Sequence, residues 1–252
     1  SLTEYVKIVR EEEEADVVIV LGHAGLPYDN VETYLTRYDK KGNPLFSERY
    51  AVWGYDAQEL AREVPGIDLF VGGHIHKGIP SPWIDPYMHT MVIQGYAYGS
   101  NLGWMTLKID SETKSVSGYE LPALTDGLMI TLFEEEFIPD AEISPIIEEQ
   151  VAKAEAGMDE VVGYAAIDLT RTNYDAQSLV GNMIVDAMLN EVKADFAFLN
   201  LGGVRADIKA GPVTYRDIFE VMPFDNMLVS FTCDGEFLRR IIETRVEGSR
   251  HG

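Results

Sequence analysis

The sequence predicts an α/β protein in two parts. Three observations carry this. Twice, a helical pattern leads to a short β-branched apolar run that ends in histidine, at DVVIVLGH and at DLFVGGHIH. An acidic stretch carrying prolines then interrupts the pattern. A second series of helical and extended apolar segments follows it.

Taken in order, residues 1–14 have helical periodicity, with Tyr5, Ile8 and Val9 on one face. Residues 16–21 read as a strand buried on both faces. Residues 56–63 read as a helix stopped near Pro65, and residues 68–71 as a second buried strand. Residues 90–94, 103–110 and 116–121 have strand character. Residues 126–145 suit a surface connection, and 144–156 a helix. In the second part, residues 178–191 read as a helix and 195–199 (DFAFL) as a buried strand. Thr214 opens a short helix, with Asp217 at capping-box spacing. Residues 227–232 suit a strand and 235–245 a helix. The expected division is a first domain over 1–121, a linker and helix over 122–160, and a second domain over 161–252.

With 252 residues, 46% of them hydrophobic, the chain can bury sizeable cores. Its formal charge of -22 argues against binding a nucleic-acid polymer, because phosphate backbones are held by clustered Lys and Arg. One small phosphate ester, gripped by metal ions and a few arginines, is still compatible with it. A single cysteine, Cys233, excludes an internal disulfide and a cysteine zinc cluster. No apolar run approaches the ~20 residues of a membrane helix, and no export signal is visible in this stretch, so localisation stays open. Oligomeric state is equally open.

His23 stands in LGHAG, where small neighbours let the chain turn tightly beyond a strand end. It suits a metal ligand or a hydrogen-bonded histidine at a strand end. In GGHIH, His74 and His76 are one residue apart after two glycines, so an extended turn can aim both at one site. Ligands of open α/β sheets sit beyond the carboxyl ends of strands, which makes the three histidines a candidate metal site. His89 and His251 lack such settings. Further on, Asn200-Leu201-Gly202-Gly203-Val204-Arg205 combines exposed backbone N–H groups with an arginine fork. It suits an anion clamp, or a tight turn with Arg205 paired to an aspartate. In PFDN, Phe224 is either a core residue or an aromatic presented to a nucleobase, with Asn226 able to read a base edge.

In order, ADVVIVLGHAG, GIDLFVGGHIH, VIQGYAYG to LGWMTLKID, SLVGNMIVDAML, ADFAFLNLGGVRADIKAG and VTYRDIFEVMPFDNML resemble the 5′-nucleotidase family, which includes UDP-sugar hydrolases and 2′,3′-cyclic-nucleotide phosphodiesterases. The resemblance covers nearly the whole chain. It implies the C-terminal half of a calcineurin-like metallophosphatase sandwich, joined to part of an α/β nucleotide-binding domain. It also implies two divalent ions of Mn, Zn or Fe type and metal-dependent hydrolysis of a small nucleotide phosphate ester. The resemblance puts His23 and His74 on one ion and His76 on the other. It gives Asn200, Gly202, Gly203, Arg205 and Phe224 to the substrate, with Asn226 beside them. A further family arginine precedes the helix at Ser178; Arg171 is the nearest arginine, and Tyr174 falls nearer the expected position. Relatives are often exported or attached to the cell surface.

The sequence also departs from the pattern. It holds no Asp-x-His, no Gly-Asp step and no Gly-Asn-His-Asp/Glu motif, the family's remaining metal and catalytic motifs, which lie upstream there. The expectation is therefore a chain truncated at both ends, with no catalytic residue of its own and little or no activity alone. A non-catalytic nucleotide-binding module using Asn200, Arg205 and Phe224 is the alternative. A fragment unable to fold alone is a third.

Overall fold

The first helix, α1 (Leu2–Glu11), begins at a capping box in which Ser1 and Glu4 exchange side chain-to-backbone hydrogen bonds. The computed structural model describes residues 1–45, 55–123, 127–133, 137–171 and 177–248. These divide into two units, Ser1–Ile138 and Pro139–Gly252. The architecture is mixed α/β, as the periodicities predict.

In the first unit, β1 (Ile19–Leu21), α2 (Asn30–Arg37), α3 (Ala57–Glu63), β2 (Leu69–Gly72), β3 (Trp83–Ile84) and β4 (Met91–Gln94) follow α1. Their sheet has the order β1-β2-β4-β3. β1, β2 and β4 are parallel, and β3 is antiparallel to β4. β5 (Asn101–Gly103) pairs with β8 (Met129–Thr131), and β6 (Thr106–Ile109) with β7 (Val116–Glu120), all antiparallel. Phe70 and Val92 on the central strands meet Val6, Ala57, Ala61 and Leu26 in one apolar core. Arg10 ties the helix to the sheet. It donates to the carbonyls of Ala15, Asp16 and Gly66 and pairs with Asp68, whose carboxylate also accepts from Val18 N–H.

Three expectations need correction here. The buried face of α1 is Leu2, Val6 and Val9, not Tyr5, which is 69% exposed. Residues 16–21 are not buried on both faces. Among the described residues β1 has one strand neighbour, and Ile19 and Leu21 are exposed, so only Val18 and Val20 of this stretch reach the core. The stretch 126–145 is not wholly a connection, because it contains β8.

In the second unit, α4 (Ile143–Glu155) is followed by β9 (Val161–Ala165), α5 (Leu179–Val192), β10 (Gly211–Thr214), α6 (Tyr215–Val221) and α7 (Gly235–Gly248). β9 and β10 form an antiparallel pair. Ser178 caps α5 through Gly181 N–H, and Thr214 and Asp217 form the expected capping box of α6. The core is small: Val180, Val204, Ile208, Val213 and Val221. Residues 195–199 are not a buried strand, and residues 227–232 are not a strand. Neither stretch is paired in a sheet among the described residues, and Phe196, Phe198, Val229 and Phe231 stand exposed. High β-propensity makes a strand only where a neighbouring edge accepts its backbone groups.

Candidate functional site

In the first unit, β1 and β2 are parallel neighbours, so their carboxyl ends open at the same edge of the sheet. His23 leaves one end and His74 the other. His74 Nδ1 and His23 Nε2 are 3.1 Å apart, and the rings meet edge to face with centroids 4.9 Å apart. Both histidines are exposed.

Backbone packing between the two loops contributes to this distance. Gly22 N–H donates to Val71 C=O, and Gly73 N–H to Ala24 C=O. A Cβ on Gly25 would lie 2.6 Å from the Gly73 carbonyl, and one on Gly72 would lie 2.6 Å from the Ala24 carbonyl. Glycine is required at both places because the chains touch. Ile75 N–H donates to Gly73 C=O around His74, whose φ is +74°, which makes a γ-turn. His76 also has a positive φ, +55°. Left-handed backbone at two non-glycine residues in one loop is uncommon and concentrates where function requires it. The His76 ring stands edge-on to Tyr98 at 5.4 Å. His89 is an exposed turn residue, and His251 lies outside the described residues.

The donor set can be tested against a metal ion. Two imidazole nitrogens at ~2.0–2.1 Å on a tetrahedral zinc stand ~3.3–3.4 Å from each other, a few tenths of an ångström more than the 3.1 Å between His23 and His74. The pair fits, to within that margin, two adjacent ligands of one ion. Among the described residues, however, no group of three or more His, Cys, Asp or Glu is arranged to hold a metal. Two of the three predicted histidines come together, and they do not complete a centre by themselves. Gln94, which sequence reasoning passed over, lies beneath both loops and bonds to each. Its only sequence signal is a polar residue ending an apolar strand.

In the second unit, Asn200, Gly202, Gly203, Arg205 and Phe224 also converge. A 3₁₀ turn over Leu201–Gly203 is closed by Gly203 N–H to Asn200 C=O, and the Asn200 amide covers Gly203 so closely that a Cβ there would meet Oδ1 at 3.2 Å. Arg205 donates to Gly202 C=O at 3.1 Å, and its guanidinium lies 5.9 Å from the Phe224 ring centroid. Arg205 N–H donates to Val221 C=O, which ties the loop to the end of α6. Phe224 is 48% exposed. Asn226 is exposed two residues on. Asp207 pairs with Arg171, and Arg171 also donates to Val204 C=O, so it braces the Arg205 loop. Tyr174 lies outside the described residues.

Residues 154–252 match the family model of the 5′-nucleotidase C-terminal domain. Endonuclease YhcR of Bacillus subtilis (strain 168) is 28% identical over 197 residues, covering 78% of this chain. The trifunctional nucleotide phosphoesterase protein YfkN of the same organism is 27% identical over 255 residues, covering 98%. The chain spans 15% of the length of each. The solved 5′-nucleotidase precursor of Thermus thermophilus shares the fold, with a TM-score of 0.52 at 21% identity over 88% of this chain and 41% of that one. The resemblance to the 5′-nucleotidases drawn from the motifs is upheld.

Proposed function

We propose that this chain forms part of a hydrolase of nucleotide phosphate esters, of 5′-nucleotidase or 2′,3′-cyclic-nucleotide phosphodiesterase type. In this reading, His23 and His74 bind one divalent ion and His76 serves a second. The observation that carries it is the 3.1 Å approach of two imidazole nitrogens from the ends of adjacent parallel strands, on loops that tolerate only glycine at their contacts. The relatives' names, an endonuclease and a nucleotide phosphoesterase, support the same class of bond. A divalent ion supplies Lewis acidity toward a phosphate oxygen. The protein's own part there is to hold two imidazole nitrogens at a fixed spacing on an exposed edge. In the second unit, the Arg205 fork and the turn over Leu201–Gly203 bind anionic oxygens, while Phe224 offers a ring face for a base. Residues such as these bind and orient. Acid–base chemistry is not assigned to any of them, and this chain alone is expected to be weakly active or inactive.

A second reading, a nucleotide-binding module without catalysis, is favoured by the convergence of Asn200, Arg205 and Phe224 in a unit that contains none of the histidine loops. Two titrations separate the readings. Zn(II) or Mn(II) uptake lost in His74→Ala supports the hydrolase. Nucleotide binding that needs Arg205 and no metal, in a chain that takes up no metal, supports the module.

A further inference from the structure

Gln94 ends β4, on the far side of β2 from β1, and is 1% exposed. A buried amide needs partners at both ends. Its Oε1 accepts from Leu26 N–H at 3.0 Å, and its Nε2 donates to the carbonyl of Lys77. Both partners are backbone groups, so the amide orientation is fixed. Reversing it would set donor against donor and acceptor against acceptor. Leu26 lies three residues beyond His23, and Lys77 directly follows His76. One side chain therefore spans the two loops that carry all three histidines. It does so across Gly72, where an added Cβ would sit 3.6 Å from Oε1. The main-chain carbonyl of Gln94 also accepts from Ile79 N–H at 3.1 Å, which extends its hold on the second loop.

We propose that Gln94 is a positioning residue that fixes the spacing of His23 and His74 by clamping the far ends of their loops to the central strand. This deepens the hydrolase reading and rests on it for its purpose, but its main test needs no metal. A buried amide with a purely structural role would affect stability alone. The distinguishing prediction is that losing Gln94 separates the two imidazoles while the sheet stays folded.

The test is NMR of the whole chain with labelled histidines in mildly alkaline buffer, where the ¹⁵N–¹⁵N coupling across the His23–His74 hydrogen bond is read directly. The wild type is expected to show the coupling. Gln94→Met is expected to lose it, and to weaken Co(II) binding by ~10–100-fold, the usual cost of losing an outer-shell support. Thr90→Val is the control. Thr90 is fully buried just before the same strand and donates to Ile67 C=O at 2.9 Å, so this change lowers stability without touching the loops and keeps the coupling. If Gln94→Met does not fold, Gln94→Glu decides. It keeps the acceptor for Leu26, lacks the donor for Lys77, and is expected to lose the coupling as well. Coupling that persists in a folded Gln94 variant, that is absent from the wild type, or that disappears equally in Thr90→Val overturns the proposal. Absence of Co(II) binding in the wild type counts against the hydrolase reading alone, and the coupling still decides the role of Gln94.

Discussion

Gly25→Ala is expected to part the two histidine loops. The added Cβ would lie 2.6 Å from the Gly73 carbonyl and 2.8 Å from two carbons of Ile75. The first of these is backbone and cannot rotate away. Reaching ordinary contact at about 3.4 Å means moving the loops apart by roughly 0.8 Å. Carried to the rings, that shift stretches the 3.1 Å His23–His74 approach to roughly 3.9 Å, beyond a hydrogen bond. Overpacking of this kind costs ~1–3 kcal/mol, which lowers the Tm by ~3–12 °C for a unit of this size. Misplacement approaching 1 Å weakens a preorganised site by up to ~10²-fold. Two glycines nearby serve as controls. A Cβ on Gly73 would meet only His23 Nδ1, at 3.9 Å, and one on Gly95 would meet nothing within 4 Å. Gly73→Ala and Gly95→Ala should therefore be nearly neutral. The assay is thermal unfolding beside the histidine NMR coupling. A Gly25→Ala protein with wild-type Tm and coupling, or a Gly73→Ala protein as damaged as Gly25→Ala, would refute the backbone-contact argument.

Three further outcomes are expected. Thr214→Ala removes the side chain that caps α6 through Asp217 N–H and should cost ~0.5–2 kcal/mol in chemical denaturation, whereas an unchanged midpoint would mean that the box is idle. Glu59 is buried, and burial, with the neighbouring Asp56 adding to it, raises its pKa above the usual carboxylate value despite the Asp56 N–H bond and Arg37. A raised folded-state pKa favours the fold below the unfolded value near 4.5 and penalises it once pH passes the folded value. Glu59→Gln keeps the cap and should therefore raise Tm at neutral pH, with the gain vanishing toward pH 4; a gain that grows on acidification contradicts the sign. Phe224→Ala should weaken nucleotide binding by ~5–30-fold, from ~1–2 kcal/mol of lost base stacking, measured by calorimetry, and equal affinity would place the base elsewhere.

Local signals were the most legible in the sequence. The pair Thr214 and Asp217 announced its helix because a cap involves residues three apart. The histidine loops could be found because glycine and alanine beside histidine mark tight backbone at strand ends. Burial was less legible, since it depends on neighbours. Ile19 and Leu21 have the composition of a core strand, yet among the described residues β1 has one strand partner. Phe196, Phe198, Val229 and Phe231 belong to strand-forming sequences that find no sheet pairing among the described residues. Arg10 and Gln94 were missed for a related reason: each satisfies backbone groups distant in sequence, such as Gly66 for Arg10 and Leu26 for Gln94, and nothing near either residue announces the partner. Arg171 was named for its place in the chain, but its bond to the Val204 carbonyl was not foreseeable.

The most direct test of the account is a Co(II) titration of the purified chain, followed by paramagnetic broadening of the labelled histidine resonances. The account predicts that His23 and His74 broaden together at substoichiometric metal, and that either His23→Ala or His74→Ala abolishes the effect on its partner. Broadening of neither ring, or of one ring that persists when the other is removed, would contradict a shared ion at the ends of β1 and β2.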